Sequence, residues 1–406
     1  MRLQPIQIVH PPAVRACRVA SLPYDVGELA DARRIAAENA ESFLHVERPE
    51  VDLPDSFYPS TGLHHQTARR NFDRFLSEGI LVRAPGPGLY VYRITMGAHA
   101  QTGLVGGVHI DDYDADLIKK HEKTKKPTED DRTQHVLQVG AQTGPIFLLY
   151  AGDAAINQWV AGLTAAPPAI DFRAGDGIRH EVWQVPDSAA AQRLFDAVPV
   201  VYVADGHHRA AAAARAGREL RARNPHHRGD EPYNWIMAVL FPADQLQVLA
   251  YNRLLRDLNG LSPESFLAEV RARFRVQEIS DARPHAAACV HMRLGGRWYA
   301  LSWDPDPSAD PVSALDVSVL QERLLGPLLG IDDPRNNTRI DYVGGVRSAE
   351  EVAERVDAGR AAVGFSLFPT NVNQLMAIAD AGQIMPPKST WFEPKLRSGL
   401  FVHPLA

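Results

Sequence analysis

The stretch "VVYVADGHHRAAAAARAG", from Val200 to Gly217, most limits what this chain can fold into. Valine and tyrosine favour a buried, pleated strand up to Ala204. Asp205 and Gly206 then make a turn, because glycine reaches positive φ without steric cost. The alanines that follow Arg209 make the next segment a helix. Their small side chains let that helix lie close against a sheet.

A strand that hands over to a helix in one turn leaves the first helical N–H groups without partners, beside the positive end of the helix dipole. Such a start is an anion site by construction. Arg209 adds a bidentate clamp for phosphate, and His207 and His208 add donors. An ordinary strand–turn–helix junction with surface histidines is the competing reading. Zinc is not expected, since adjacent histidines at a helix start diverge by about 100° and no CxxC or HExxH motif supplies partners. No metal ligand is therefore assigned.

The rest of the chain sets that unit in a larger α/β protein. "GLYVYRITM", "PIFLLYAG", "RHEVWQVP" and "AAVGFSLFP" read as strands. "HHQTARRNFDRFLSEGIL", "SAAAQRLFDAV", "SPESFLAEVRARF" and "NVNQLMAIADAG" read as helices, and "RPEVDLPDSFYPSTG" as loop. "HMRLGGRWYALSW" reads as a hairpin turning at Gly295-Gly296. "YNWIMAVLFP" and "QLQVLAYNRLL", joined by "ADQ", read as a second hairpin. "QTGLVGGVHI" is a hairpin partner for "GLYVYRITM", although its glycines point to a turn and have no phosphate-loop spacing. Helices alternate with strands, but several strand pairs are hairpins, so a mixed sheet is expected rather than a uniform doubly wound one. With 406 residues the chain is long enough for two or three modules. Boundaries are expected near 100 and 260. They separate an N-terminal α+β region (1–100), a core (101–260) and a C-terminal α/β region (261–406) whose tail returns to the site.

A net charge of −6 gives no broad basic footprint for nucleic acid. Cys17 and Cys289 lie far apart, as expected of a protein in a reducing cytoplasm. No signal peptide and no run of about 20 apolar residues is seen, so no membrane span is expected.

Three further stretches carry polar groups. In "HEKTKKPTEDDR", Glu122 stands among His121, Thr124, Lys125 and Lys126, with Arg132 further on. A carboxylate ringed by phosphate donors has the parts of a phosphoryl-transfer site, and a solvated charged surface is the alternative. In "IMPPKSTWFEPKLRSGL", Pro386-Pro387 stiffens the backbone, and Lys388, Ser389 and Thr390 offer donors to a phosphate pocket. The same segment can equally be a strap held by Trp391 and Phe392. In "LPYDVG", Asp25 is expected to be a turn or N-cap residue.

The order of "HEKT", Arg132, "GPIFLLY" and "VADGHHRAAAA" resembles the ParB/sulfiredoxin-like superfamily. Together with "LPYDVG", "SFLHVERPEVDLP" and "MPPKSTWFEPKLRSGL", it more closely resembles a bacterial family of about 400 residues, noted for an HxxR motif and long of unknown function. Within the superfamily the Asp-Gly-His-His-Arg form resembles free-serine kinases. Sulfiredoxins carry a cysteine in this motif, and here His207 stands in that region. The resemblance implies a nucleotide-binding core in which Asp205, Gly206, His207, His208 and Arg209, joined by Lys388, Ser389 and Thr390, hold ATP or ADP with Mg²⁺. It implies Glu122 as the base, with His121 and Arg132 beside it, for a small hydroxylated substrate such as L-serine. The other activity it implies is a ParB-like nucleotide switch associated with DNA.

Overall fold

The computed structural model describes residues 1–54, 56 and 62–406. It divides into two compact units, Met1–Leu246 with Pro394–Ala406, and Gln247–Glu393. Both are mixed α/β structures. The cuts fall at 246 and 394 rather than at 100 and 260, because strands from the first hundred residues pair directly with strands of the expected core. The loop expected over "RPEVDLPDSFYPSTG" lies partly outside the described residues.

The first unit is built on a nine-stranded sheet. In chain order its strands are β1 (Leu3–Gln4), β2 (Tyr90–Met96), β3 (His99–His109), β4 (Ile118–Lys119), β5 (Ile146–Tyr150), β6 (Ile170–Arg173), β7 (Arg179–Gln184), β8 (Val201–Asp205) and β9 (Trp235–Pro242). The spatial order is β4-β8-β5-β9-β3-β2-β7-β6, with β1 added on β3. The β8–β4 and β5–β9 pairs are parallel and the others antiparallel. Where β8 runs beside β5 the register slips between Val203 and Asp205. Such an irregularity re-aims the side chain that follows it.

Three helices of this unit matter for the site: α1 (Leu63–Ser77), α2 (Lys126–Val139) and α3 (His207–Arg223). The alanine face of α3 packs as the sequence requires: Ala210, Ala213 and Ala214 join Val201, Val203, Ile146, Leu148, Ile236 and Leu240 in one core. α2 is held to α3 by Arg215, whose guanidinium lies 2.5 Å from Asp130.

The expected hairpin over "ADQ" does not form. All eight residues of β9 are buried, and β9 already has β5 and β3 on its two sides. The chain therefore leaves this sheet, and Gln247–Leu249 pairs with Trp391–Glu393 in the second unit. That unit has a six-stranded sheet. The hairpin at Gly295-Gly296 does form there, with both glycines at positive φ (56° and 77°). No described helix is long and apolar enough to cross a membrane.

Candidate functional site

β8 ends at Asp205, Gly206 takes the left-handed conformation (φ 90°, ψ 32°), and α3 begins at His207. The apolar run buries the strand, and the glycine lets the chain reverse so that α3 starts directly above its end. Arg209 folds back over this turn. It donates to the Pro145 carbonyl (2.7 Å) and to Asp205 (3.2 Å). Its Nε is buried without a hydrogen-bond partner among the described residues. Lys395 Nζ approaches the other oxygen of Asp205 at 3.4 Å. Burial alone would raise the Asp205 carboxyl, but Lys395, Arg209 and His207 outweigh it and pull it down to about 2. The turn thus holds two cations on one half-buried carboxylate, next to a helix start.

The loop after β4 crosses to the same place. The parallel pairing of β4 with β8 sets its path, and the Lys125 N–H donates to His208 Nε2 at 3.0 Å. His121 meets His207 edge-on, with ring centroids 4.4 Å apart. The ligand atoms of His121, Glu122 and His207 all lie within 4.8 Å of one another. Both imidazoles are buried, and Glu122 is half-buried. Burial pushes His207 down to about 4, with Asp205 opposing. Burial, then His207, lowers His121 well below the ordinary histidine value. Both rings are therefore neutral near pH 7.

Arg132 sits elsewhere than the polar loop. It lies on α2 and is buried, with its guanidinium 2.6 Å from Asp131, on the Glu47 carbonyl (3.3 Å) and over the Tyr24 ring (4.5 Å). Asp131 in turn accepts from His64 (2.8 Å) and His65 (3.0 Å) of α1. Arg132 and Arg209 line one cavity, with Glu47, His135, Gln142, Thr143 and Gly144. Glu122 is not among the residues lining it.

Lys388, Ser389 and Thr390 belong to the second unit. Lys388 lies over the Tyr251 ring (5.5 Å), and Ser389 donates to the Pro386 carbonyl (2.6 Å). The tail residue seen on Asp205 is Lys395. Asp25 takes its place in a turn closed by Val26 N–H on the Pro23 carbonyl (3.1 Å), and the neighbouring helix starts only at Leu29.

Sequence reasoning missed Lys395, Glu47 and Tyr24. Glu47 is 1% exposed, and its Oε2 has no hydrogen-bond partner among the described residues. The signal for Glu47 was a carboxylate inside the apolar run "FLHVE". Nothing local singles out Lys395 from Lys388.

A family model described as "Protein of unknown function (DUF1015)" matches residues 3–318. No curated protein matches the sequence. Among solved structures, a free serine kinase in complex with AMP is similar at 12% identity and a TM-score of 0.38, covering 70% of this chain and 86% of its own. SbnI with a C-terminal truncation, from Staphylococcus aureus, is similar at 11% identity and 0.38, covering 74% and 87%. A conserved hypothetical protein from Pyrococcus furiosus is similar at 13% identity and 0.37, covering 72% and 92%.

Proposed function

The chain belongs to the DUF1015 family, and on that footing we propose that it is a nucleotide-dependent phosphotransferase acting on a small hydroxylated metabolite, with free L-serine as the first acceptor to test. One observation carries this: Arg209 and Lys395 converge on Asp205 at the glycine turn that opens α3, with Glu122 in the loop beside it. Oriented N–H groups and two cations suit the terminal phosphates of ATP or ADP. Arg209 Nε is a donor already desolvated and without a partner among the described residues, so phosphate adds a bond there without breaking one.

In the proposed reaction, the substrate oxygen attacks the terminal phosphorus as the bridging P–O bond breaks. The bridging electron pair leaves with the nucleotide. The hydroxyl proton passes to Glu122, which a general base in hydrogen-bond reach can accept. Arg209, Lys395 and the helix start offset the charge that develops on phosphate.

Mg²⁺, the ion expected from the resemblance, does not fit the residues here well. It takes oxygen ligands in near-octahedral geometry. The ligand cluster beside the turn offers two imidazoles and one carboxylate, and Asp205 is occupied by two cations.

The test is phosphate transfer from ATP or ADP to a panel of amino acids and polyols, read by ³¹P NMR. A phosphomonoester that forms with wild type and falls by about 10²–10⁴-fold in Glu122→Gln is expected, with nucleotide still bound by the variant. Full turnover in Glu122→Gln removes the base. Nucleotide binding with no transfer to any acceptor would favour a ParB-like switch instead.

A further inference from the structure

The cluster His121–Glu122–His207 has a donor set that phosphate binding does not require. His207 is 6% exposed, and its Nε2 has no hydrogen-bond partner among the described residues. A buried nitrogen left without a partner is costly, and a ligand on it removes that cost. Two elements bring the three groups together. His121 and Glu122 follow β4, and His207 opens α3, so the parallel β4–β8 pairing sets their approach.

We infer that His121, Glu122 and His207 bind a divalent transition-metal ion. Two imidazoles and a carboxylate suit zinc, iron, cobalt or nickel far better than Mg²⁺. Three protein ligands leave open positions for a substrate or phosphate oxygen. Ligands about 2.0–2.2 Å from a tetrahedral ion stand about 3.3–3.6 Å apart. The three atoms, all within 4.8 Å of one another, thus need side-chain closure of at most about 1 Å. The neighbouring Asp205 is already engaged by Arg209 and Lys395, so Glu122 is the carboxylate left for the ion. A carboxylate has two oxygens, so one on the ion leaves the other to accept a proton. The inference rests on the same site as the phosphotransferase reading and deepens it.

A second cluster, His64–His65–Asp131, has the same ligand types. Its Asp131 is already held by two nitrogens of Arg132, at 2.9 and 2.6 Å. That guanidinium would stand beside any added cation, which makes this cluster the natural control.

The experiment uses the full chain, stripped with chelator and titrated with Co²⁺. Visible d–d absorption and elemental analysis read occupancy. Wild type is expected to take up one Co²⁺ on mixed nitrogen and oxygen ligands, with at least tenfold weaker binding in both His207→Gln and Glu122→Gln. His64→Ala is expected to bind as wild type does. Glu122 is half-buried, so Glu122→Gln keeps the test informative if His207→Gln fails to fold. Absence of Co²⁺ binding, undiminished binding in Glu122→Gln, or loss of binding in His64→Ala overturns the inference. ATP binding measured on the stripped protein separates the two readings. Nucleotide binding and transfer without a Co²⁺ site sinks the metal alone. Co²⁺ binding without transfer to any acceptor sinks the phosphotransferase alone.

Discussion

Arg209 is the residue whose local position was clearest in the sequence and whose surroundings were not. Its place three residues after Gly206 puts it in the first turn of a helix, which local propensity alone dictates. That it shares Asp205 with Lys395, 190 residues later, depends on the path of the tail. Arg209→Ala is expected to weaken ATP binding by about 10–100-fold, the usual worth of lost charged hydrogen bonds, as read by calorimetry without acceptor. Arg209→Lys is expected to restore little, because a lysine keeps the charge but not the planar fork. Wild-type affinity in Arg209→Lys would show that charge alone suffices. Arg132 teaches the complementary lesson. Its spacing from Glu122 placed it in the same polar cluster. The helix it belongs to turns it instead toward Glu47 and Tyr24, so that it lines a cavity with Arg209.

At the scale of elements, the β8–turn–α3 unit was legible because every local choice agreed: apolar strand, glycine, then alanine. The glycines of "GLVGGVHI" were not legible in the same way. They lie inside β3 and serve close packing rather than a turn. A β-carbon at Gly103 would stand 2.8 Å from the Leu240 carbonyl oxygen on β9, a neighbour that only the sheet order reveals. Gly217 is the helical counterpart. A methyl there would run into the Tyr233 carbonyl. Alanine gains about 1 kcal/mol of helix propensity over glycine, but a backbone clash in a packed site costs about 1–3 kcal/mol. Gly217→Ala is therefore expected to be destabilising by about 1 kcal/mol in urea unfolding. Stabilisation would mean that α3 can shift from Tyr233 freely.

Across the whole molecule, buried titratable groups in the two units link stability to pH with opposite signs. In the first, burial, then Arg132, pushes His135 down to about 3. A depressed histidine stabilises the fold above its unfolded value near 6.5, and that stability is lost as pH falls toward the folded value. In the second unit, burial raises the Asp316 carboxyl to about 6, with the Ala288 N–H opposing. A raised carboxyl stabilises fully below about 4 and loses that contribution as pH rises through 6. Hydrogen-exchange protection, corrected for intrinsic rates, is expected to fall in α2 between pH 6.5 and 5. Asp316→Asn is expected to flatten the opposite trend in the second unit. A pH trend around Asp316 that is unchanged in Asp316→Asn would contradict the assignment.

The division between what was readable and what was not follows from range. The sequence by itself determined the alternation of strands and helices, the glycine turn and the helix start that follows it, because each depends on a few adjacent residues. Tertiary structure alone decided three things: the shared hold of Lys395 and Arg209 on Asp205, the meeting of His121 with His207, and the placing of Lys388–Thr390 in the second unit. Each is a contact between segments far apart in the chain. Such contacts depend on strand order and pairing register, which local composition does not encode.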